Sequence, residues 1–277
     1  MTHAAVDHPY REFERAGWER AADAYGTTFE RATKLFAPAL LAAAGCGKGA
    51  RILDVACATG FIAGMAAAQG ALATGIDFSA GMVTVARRRF PELDFRQADA
   101  EALPFADGSF DGVVIGFGVH HFPFPVRALG EARRVLRLGG RLAFTVWAAP
   151  EEHIIHKLVL GAVRASGHPS PKLPAPPVGT LNDADGCRRL LAEAGFAAAS
   201  IRTERVEARV TVDSGAELVE MLANGTVRSS AVIRSLPADR LPDIIVAVER
   251  AAEPYREGGQ LRVPAVAILA AATRTAA

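Results

Sequence analysis

Between Ala50 and Trp147 the apolar residues follow two alternating rhythms. Short runs such as ILDV (Ile52–Val55) and VVI (Val113–Ile115) have strand length and are apolar enough for both faces to be covered. Between them lie longer stretches with apolar residues at helical spacing. Strands are predicted at ARILDVA, ALATGID, LDFRQA, FDGVVIGFG and RLAFTVWA. Helices are predicted at FIAGMAAAQ, AGMVTVARRRF and PVRALGEARRVL, with Ser79 placed to cap the second and Gly139–Gly140 to close the third. Alternation of this kind predicts an α/β fold with a doubly wound, mostly parallel sheet.

The flanks follow other patterns. Residues 9–44 read as helices and GCGKG as a break. Beyond Trp147, residues 151–166 look helical and SGHPSPKLPAPPVGT is a proline-rich loop. DADGCRRLLAEAGF is a helix ending at Gly195, and IRTERVEARVTV is strand-like. Residues 214–252 predict two or three helices, and QLRVPAVAILAAATR a last strand. The expected organisation is an N-terminal helical cap (1–48) and a ligand-binding core (49–150). The remainder of the core with its proline-rich loop (151–212), a helical lid insertion (213–258) and a final edge strand (259–277) complete a seven-stranded sheet.

Composition narrows the partners. Of 277 residues, 50% are hydrophobic and 22% charged, an ordinary globular balance, and the net charge of +1 offers no field for nucleic acid or an anionic membrane. The three cysteines are far apart, which argues against a disulfide framework or a metal centre. The N-terminus lacks the apolar core of a signal peptide. The longest apolar runs near the C-terminus are about half of a bilayer span. The expectation is a cytoplasmic protein acting on a small molecule, with no nucleic-acid partner and no membrane span; oligomeric state is left open.

In an open α/β sheet the ligand sits beyond the carboxyl ends of the strands. Here the first strand ends in Ala56-Cys57-Ala58-Thr59-Gly60, where small side chains let backbone N–H groups approach a ligand. Asp77 ends the second strand, 77 − 60 = 17 residues after Gly60, where a carboxylate is placed to accept from ribose hydroxyls. Asp99-Ala100-Glu101 follow the third strand; Gly116-Phe117 and then His120-His121 follow the fourth.

These segments, ILDVACATG, GIDFSAGMVTVAR, ADAEALPFADGSFD, VHHF and RVLRLGGRLAF, resemble the class I S-adenosylmethionine-dependent methyltransferases over roughly Trp18 to Trp147. The likeness is greatest to the small-molecule branch that includes quinone-biosynthesis C-methyltransferases. It implies a Rossmann-like sheet, S-adenosylmethionine as cofactor and S-adenosylhomocysteine as product. By position it implies that Asp54, Ala56, Cys57 and Gly60 surround the methionine part, and that Asp77 takes both ribose hydroxyls. Phe78 and Met82 would pack beside the adenine, Asp99 would accept from its amino group next to the Ala100 backbone, and Gly116 and Phe117 would lie near the sulfonium. Tyr25 resembles a tyrosine that closes over the methionine carboxylate. Ala58 stands where the family pattern has glycine; its extra methyl is accommodated if the backbone keeps φ below zero there.

The implied reaction is in-line displacement of a methyl group onto oxygen, nitrogen or carbon of a small, fairly apolar molecule. His120 and His121 are the candidate general bases, with a polar loop dipeptide as the alternative reading; His153 is a weaker candidate. Cys57 reads as a packing residue. Phe29, Phe36, Leu173, Leu218, Met221, Leu222 and Ile233 either surround the acceptor or form the helices' own core. Two other functions fit less well. One is a protein that uses the sulfonium without methyl transfer, as a cyclase or lyase would. The other is a nucleotide-dependent oxidoreductase, for which G-x-G-x-x-G is missing.

Overall fold

A computed structural model describes residues 9–176 and 181–276. The start of the expected cap (1–8), the end of the proline-rich loop (177–180) and residue 277 lie outside the described residues. The strands are β1 (Arg51–Val55), β2 (Leu72–Asp77), β3 (Asp94–Gln97), β4 (Phe110–Gly116), β5 (Leu136–Trp147), β6 (Arg202–Val212), β7 (Arg256–Glu257) and β8 (Gln260–Thr273). They form one sheet in the order β3-β2-β1-β4-β5-β8-β6, with β7 paired to β8. The first five are parallel, and β8 runs antiparallel between β5 and β6.

The sheet therefore has the seven expected strands and one more. β7 is two residues long and turns into β8 through Gly258 and Gly259, both at positive φ. That is the two-residue hairpin turn which glycine makes without strain.

A second difference lies at Gly139–Gly140. They do not close a helix. The helix before them ends at Val135, and both glycines lie inside β5, where the register to β4 shifts between Phe110 and Gly112. A Cβ at Gly140 would come 2.9 Å from the Arg137 carbonyl oxygen and 3.0 Å from that of Asp111. The glycine pair serves a bulge, the other common reason for glycine next to an apolar run.

Helices α1 (Pro9–Tyr25), α2 (Glu30–Thr33) and α3 (Ala37–Ala43) precede the sheet. Helices α4 (Phe61–Ala68), α5 (Ala80–Arg89) and α6 (Pro125–Val135) connect the parallel strands, followed by α7 (Ile154–Ala165) and α8 (Ala184–Glu193). Three more, α9 (Gly215–Gly225), α10 (Arg228–Arg234) and α11 (Leu241–Ala252), lie between β6 and β7. Val113, Val114 and Ile115 on β4 are completely buried, as their unbroken apolar run requires. One apolar cluster covers each face of the sheet, and a third joins the outer helices to the ends of β6 and β8. Phe36, Leu218, Met221, Leu222 and Ile233 belong to that third cluster, so they are core.

Candidate active site

A cavity of about 1130 Å³ opens at the carboxyl end of β1, β2, β4 and β5, roofed by α1, α7, α8 and α10. Of the residues expected at the site, Tyr25, Ala56, Asp77, Phe78, Met82, Asp99, Ala100, Gly116, Phe117, His120 and His121 line it. Asp54, Cys57 and Gly60 stand behind the wall. The Cys57 thiol packs into the core, its N–H donates to Ile76 and its carbonyl accepts from Gly60. Gly60 has φ +81°, and a Cβ there would meet the Phe95 ring at 2.7 Å, so no larger residue fits.

The loop after β1 is strained. Ala56 has φ +56° and Ala58 φ +46°. The condition for an unstrained Ala58, a φ below zero, is not met: the backbone takes the left-handed form that glycine would take freely, at a cost of roughly 1–2 kcal/mol per alanine. Phe117, in the next loop, has φ +57° and is tied down by its N–H, which reaches the Thr145 carbonyl and hydroxyl. Among the described residues these are all the non-glycine positive-φ positions, and all three line the cavity. Strained backbone gathers where function over-determines geometry.

Asp77 is the polar anchor of this wall. It is 5% exposed and accepts from the Ala58 N–H through Oδ2 and the Ser79 N–H through Oδ1, both at 2.9 Å. Burial pushes its pKa up to about 6 against the opposing pull of those N–H groups. Behind it, Asp54 accepts from the Ala63 N–H through Oδ2, while Oδ1 is buried with no partner; burial pushes its pKa up to about 8. Ser79 caps α5 through the Met82 N–H, as its position predicts, and donates to Glu19 of α1. Arg11, also on α1, forks between Asp99 and Glu101 at 2.6 Å each. Two docking contacts thus fasten the N-terminal helix over the strand ends.

The opposite wall is aromatic. Phe117 stacks on Trp147 at 4.1 Å, Trp147 on His153 at 4.5 Å, and His153 on His156 at 3.9 Å. Burial lowers the pKa of His153 and takes that of His156 down to about 4, and the His156 Nδ1 is buried without a partner. The His120 pKa lies well below its ordinary value, through its enclosure and then through the neighbouring histidines. Its carbonyl accepts from the Tyr10 hydroxyl. His121 differs. Its Nδ1 lies 2.8 Å from Oε2 of Glu14, a fully buried carboxylate on α1, and Trp18 meets its ring edge-on at 5.0 Å.

Sequence reasoning missed Glu14, Arg11, Trp18 and Trp147. All but Trp147 lie on α1, whose amphipathic pattern gives no sign that its polar side faces a cavity. Among the described residues no group of His, Cys, Asp and Glu could hold a metal ion, and no helix is long and apolar enough to cross a membrane.

Comparison with known proteins agrees with this geometry. Residues 53–144 match the family model described as a methyltransferase domain. A demethylmenaquinone methyltransferase of Renibacterium salmoninarum is 36% identical over 170 residues, covering 58% of this chain and 72% of that protein. The demethylmenaquinone methyltransferase of Beutenbergia cavernae is 44% identical over 117 residues, but the match covers 42% of this chain and 49% of that one. The chain thus spans about half the length of several curated relatives it matches. In fold it resembles a Haemonchus contortus ethanolamine-phosphate N-methyltransferase solved with S-adenosylhomocysteine, at TM-score 0.58 and 16% identity, over 99% of this chain and 61% of that one. The chain belongs to the class I S-adenosylmethionine-dependent methyltransferases, on the small-molecule side that includes the quinone-biosynthesis enzymes.

Proposed function

We propose that the protein methylates a small ring-bearing acceptor, with Asp77 holding the cofactor ribose and His121, backed by Glu14, taking the acceptor proton. The observation that carries this reading is that one cavity holds both parts: a buried strand-end carboxylate on one wall and a carboxylate-backed imidazole on another. The curated relatives are named for demethylmenaquinone, a quinone, which supports a ring as the acceptor body. The stacked wall of Phe117, Trp147 and His153 suits such a ring.

The residues present fit S-adenosylmethionine. Asp77 is ionisable, buried and on the cavity wall, and the unpartnered Asp54 Oδ1 lies just behind the loop where a cationic amino group would be welcome. The bound cofactor supplies a methyl group already activated on sulfur. Asp77 would accept from the two ribose hydroxyls, Phe78 and Met82 would flank the adenine, and Asp99 with the Ala100 backbone would meet its amino edge. Tyr25 and the strained loop would close around the methionine end, and Gly116 and Phe117 would line the path of the methyl group. With no covalent intermediate required, the protein's tasks are alignment and exclusion of water.

Glu14 and His120 bear on which histidine acts. The Glu14 carboxylate fixes the His121 proton on Nδ1 and leaves Nε2 as the basic atom. It also stabilises the imidazolium as the acceptor proton arrives. Among the described residues no carboxylate pairs with the His120 ring, and its enclosure depresses its basicity. Glu14 is thus a positioning residue.

Calorimetric titration with S-adenosylmethionine tests the cofactor assignment. Asp77→Ala removes a charge-assisted bond worth about 1.5–3 kcal/mol, so affinity should fall on the order of 10- to 100-fold. Equal affinity in wild type and variant would refute the ribose role.

A further inference from the structure

One face of α7 lies apart from the groups that hold the cofactor or take the acceptor proton. His156, Lys157, Leu160 and Arg164 line the cavity in succession, while Ile155, Val159 and Val163 are buried on the adjacent face. From His156 to Arg164 the helix rises roughly 12 Å. The stripe runs outward from the stacked Trp147–His153–His156 column and changes from imidazole to ammonium and guanidinium. Arg189 of α8 and Arg228 of α10 also line the cavity, Arg228 over the Phe13 ring of α1. Lys157, Arg164 and Arg189 have no carboxylate within 4 Å among the described residues, and Arg228 donates to the Pro174 carbonyl.

Charge along the cavity is therefore segregated. At the cofactor end, Asp77, Asp99 and Glu101 outnumber Arg11, three to one. Among the remaining charged lining residues, Lys157, Arg164, Arg189 and Arg228 outnumber Glu151 and Glu193, four to two. The acidic end suits a sulfonium cofactor. The basic end has no such occupant and lies beyond the place where a methyl group would be handed over.

We infer that the acceptor carries an anionic group, a carboxylate or a phosphate, held at the outer mouth by Lys157 and Arg164 of α7. The inference rests on the methyl-transfer reading and narrows its substrate to a ring acid. The ring lies against Trp147 and His153, and the anion is reached by the cations one to two turns farther along α7. Guanidinium and ammonium groups recognise both anions through charge-assisted hydrogen bonds.

The two tryptophans of the chain, Trp18 and Trp147, both line the cavity, so intrinsic fluorescence reports its occupancy. The protein is first saturated with S-adenosylhomocysteine. It is then titrated with 4-hydroxybenzoate, 6-hydroxy-2-naphthoate and 4-hydroxyphenyl phosphate, and with the neutral methyl esters of the two acids. The acids or the phosphate should bind about tenfold tighter than the esters, and added salt should weaken only the anions. A larger advantage for the phosphate than for the carboxylates would identify the group. The double variant Lys157→Gln/Arg164→Gln should lose the advantage at unchanged S-adenosylhomocysteine affinity, while Arg209→Gln, on exposed β6, should keep it. Equal binding of acid and ester, no binding of any anion, or an advantage that survives the double variant would overturn the inference. Failure of S-adenosylhomocysteine to bind at the outset would bring down the methyl-transfer reading itself.

Discussion

The cavity wall around Asp77 and the wall around His121 are built from different materials. The first is made of strand ends and short loops, and its contacts span tens of residues at most: Asp77 meets Ala58 and Ser79, and Gly60 packs on Phe95 of β3, two strands away from β1. The second is assembled from remote pieces. Glu14 reaches His121 across 107 residues, and Tyr10 reaches His120 across 110. A wall of backbone and small residues tolerates little change in shape. A wall of side chains on docked helices can vary its chemistry while the sheet beneath stays the same. The family match, residues 53–144, includes Asp77 and His121 but neither α1 nor α7, the docked helices that complete the second wall.

The largest effect should come from breaking the second wall. His121→Ala should lower kcat by about 10²- to 10⁴-fold, the range for loss of a general base. Glu14→Gln should cost less and also move the acidic limb of the kcat–pH profile, whereas Glu14→Asp should restore part of the rate. Cofactor affinity measured by calorimetry should change little in His121→Ala. If His120→Ala loses more rate than His121→Ala, the assignment of the base is wrong, and the wall works through its unpaired histidine.

A second experiment compares the walls by pH. The Asp77 pKa lies near 6 in the free protein, and the ribose role needs the carboxylate. Below about pH 6 binding must first expel a proton, so cofactor affinity should fall roughly tenfold per pH unit until the bound-state pKa is passed. The same raised pKa acts oppositely on folding. Relative to an ordinary carboxyl near 3.8, a group raised to about 6 disfavours the folded state when ionised, and this penalty fades as pH falls from 6 toward 4. Asp77→Asn should flatten both trends. A cofactor affinity that stays level from pH 7 to 5, measured on folded protein, would put the acceptor role elsewhere.

The two walls were also unequally legible in the sequence. Parallel strands buried on both faces leave unbroken apolar runs, and the residue types at their ends are set by local backbone geometry, so β1 to β5 and Asp77 could be read directly. The Gly139–Gly140 pair was ambiguous because glycine ends helices and makes bulges for the same reason, freedom at positive φ. Glu14 and Arg11 could not be read. Their partners lie some 90 to 110 residues away, and a helix with one polar face looks alike whether that face meets solvent or a cavity. The cluster formed by Leu218, Met221 and Leu222 was ambiguous for the converse reason: apolar residues at helical spacing pack equally well against a ligand or against other helices.

The smallest expected effect is the most specific to the first wall. Ala58 holds φ +46° at a position where its own N–H is bound by Asp77, so the strain cannot relax without giving up that bond. Replacing it with glycine removes roughly 1–2 kcal/mol of left-handed strain. Against this, the unfolded chain gains freedom worth about 0.4–1 kcal/mol. Ala58→Gly should therefore stabilise the protein by about 0.5–1 kcal/mol, read as a higher urea midpoint at unchanged slope. A lower midpoint would mean that the loop relaxes to φ below zero in solution and that Asp77 is not fastened to it as described. The direction of the cofactor response separates two uses of the strain. If Ala58→Gly binds S-adenosylmethionine more tightly, the extra methyl group only crowds the site. If it binds more weakly while the fold is more stable, the alanine holds the loop in its binding shape, and the first wall gives up some stability for readiness to bind.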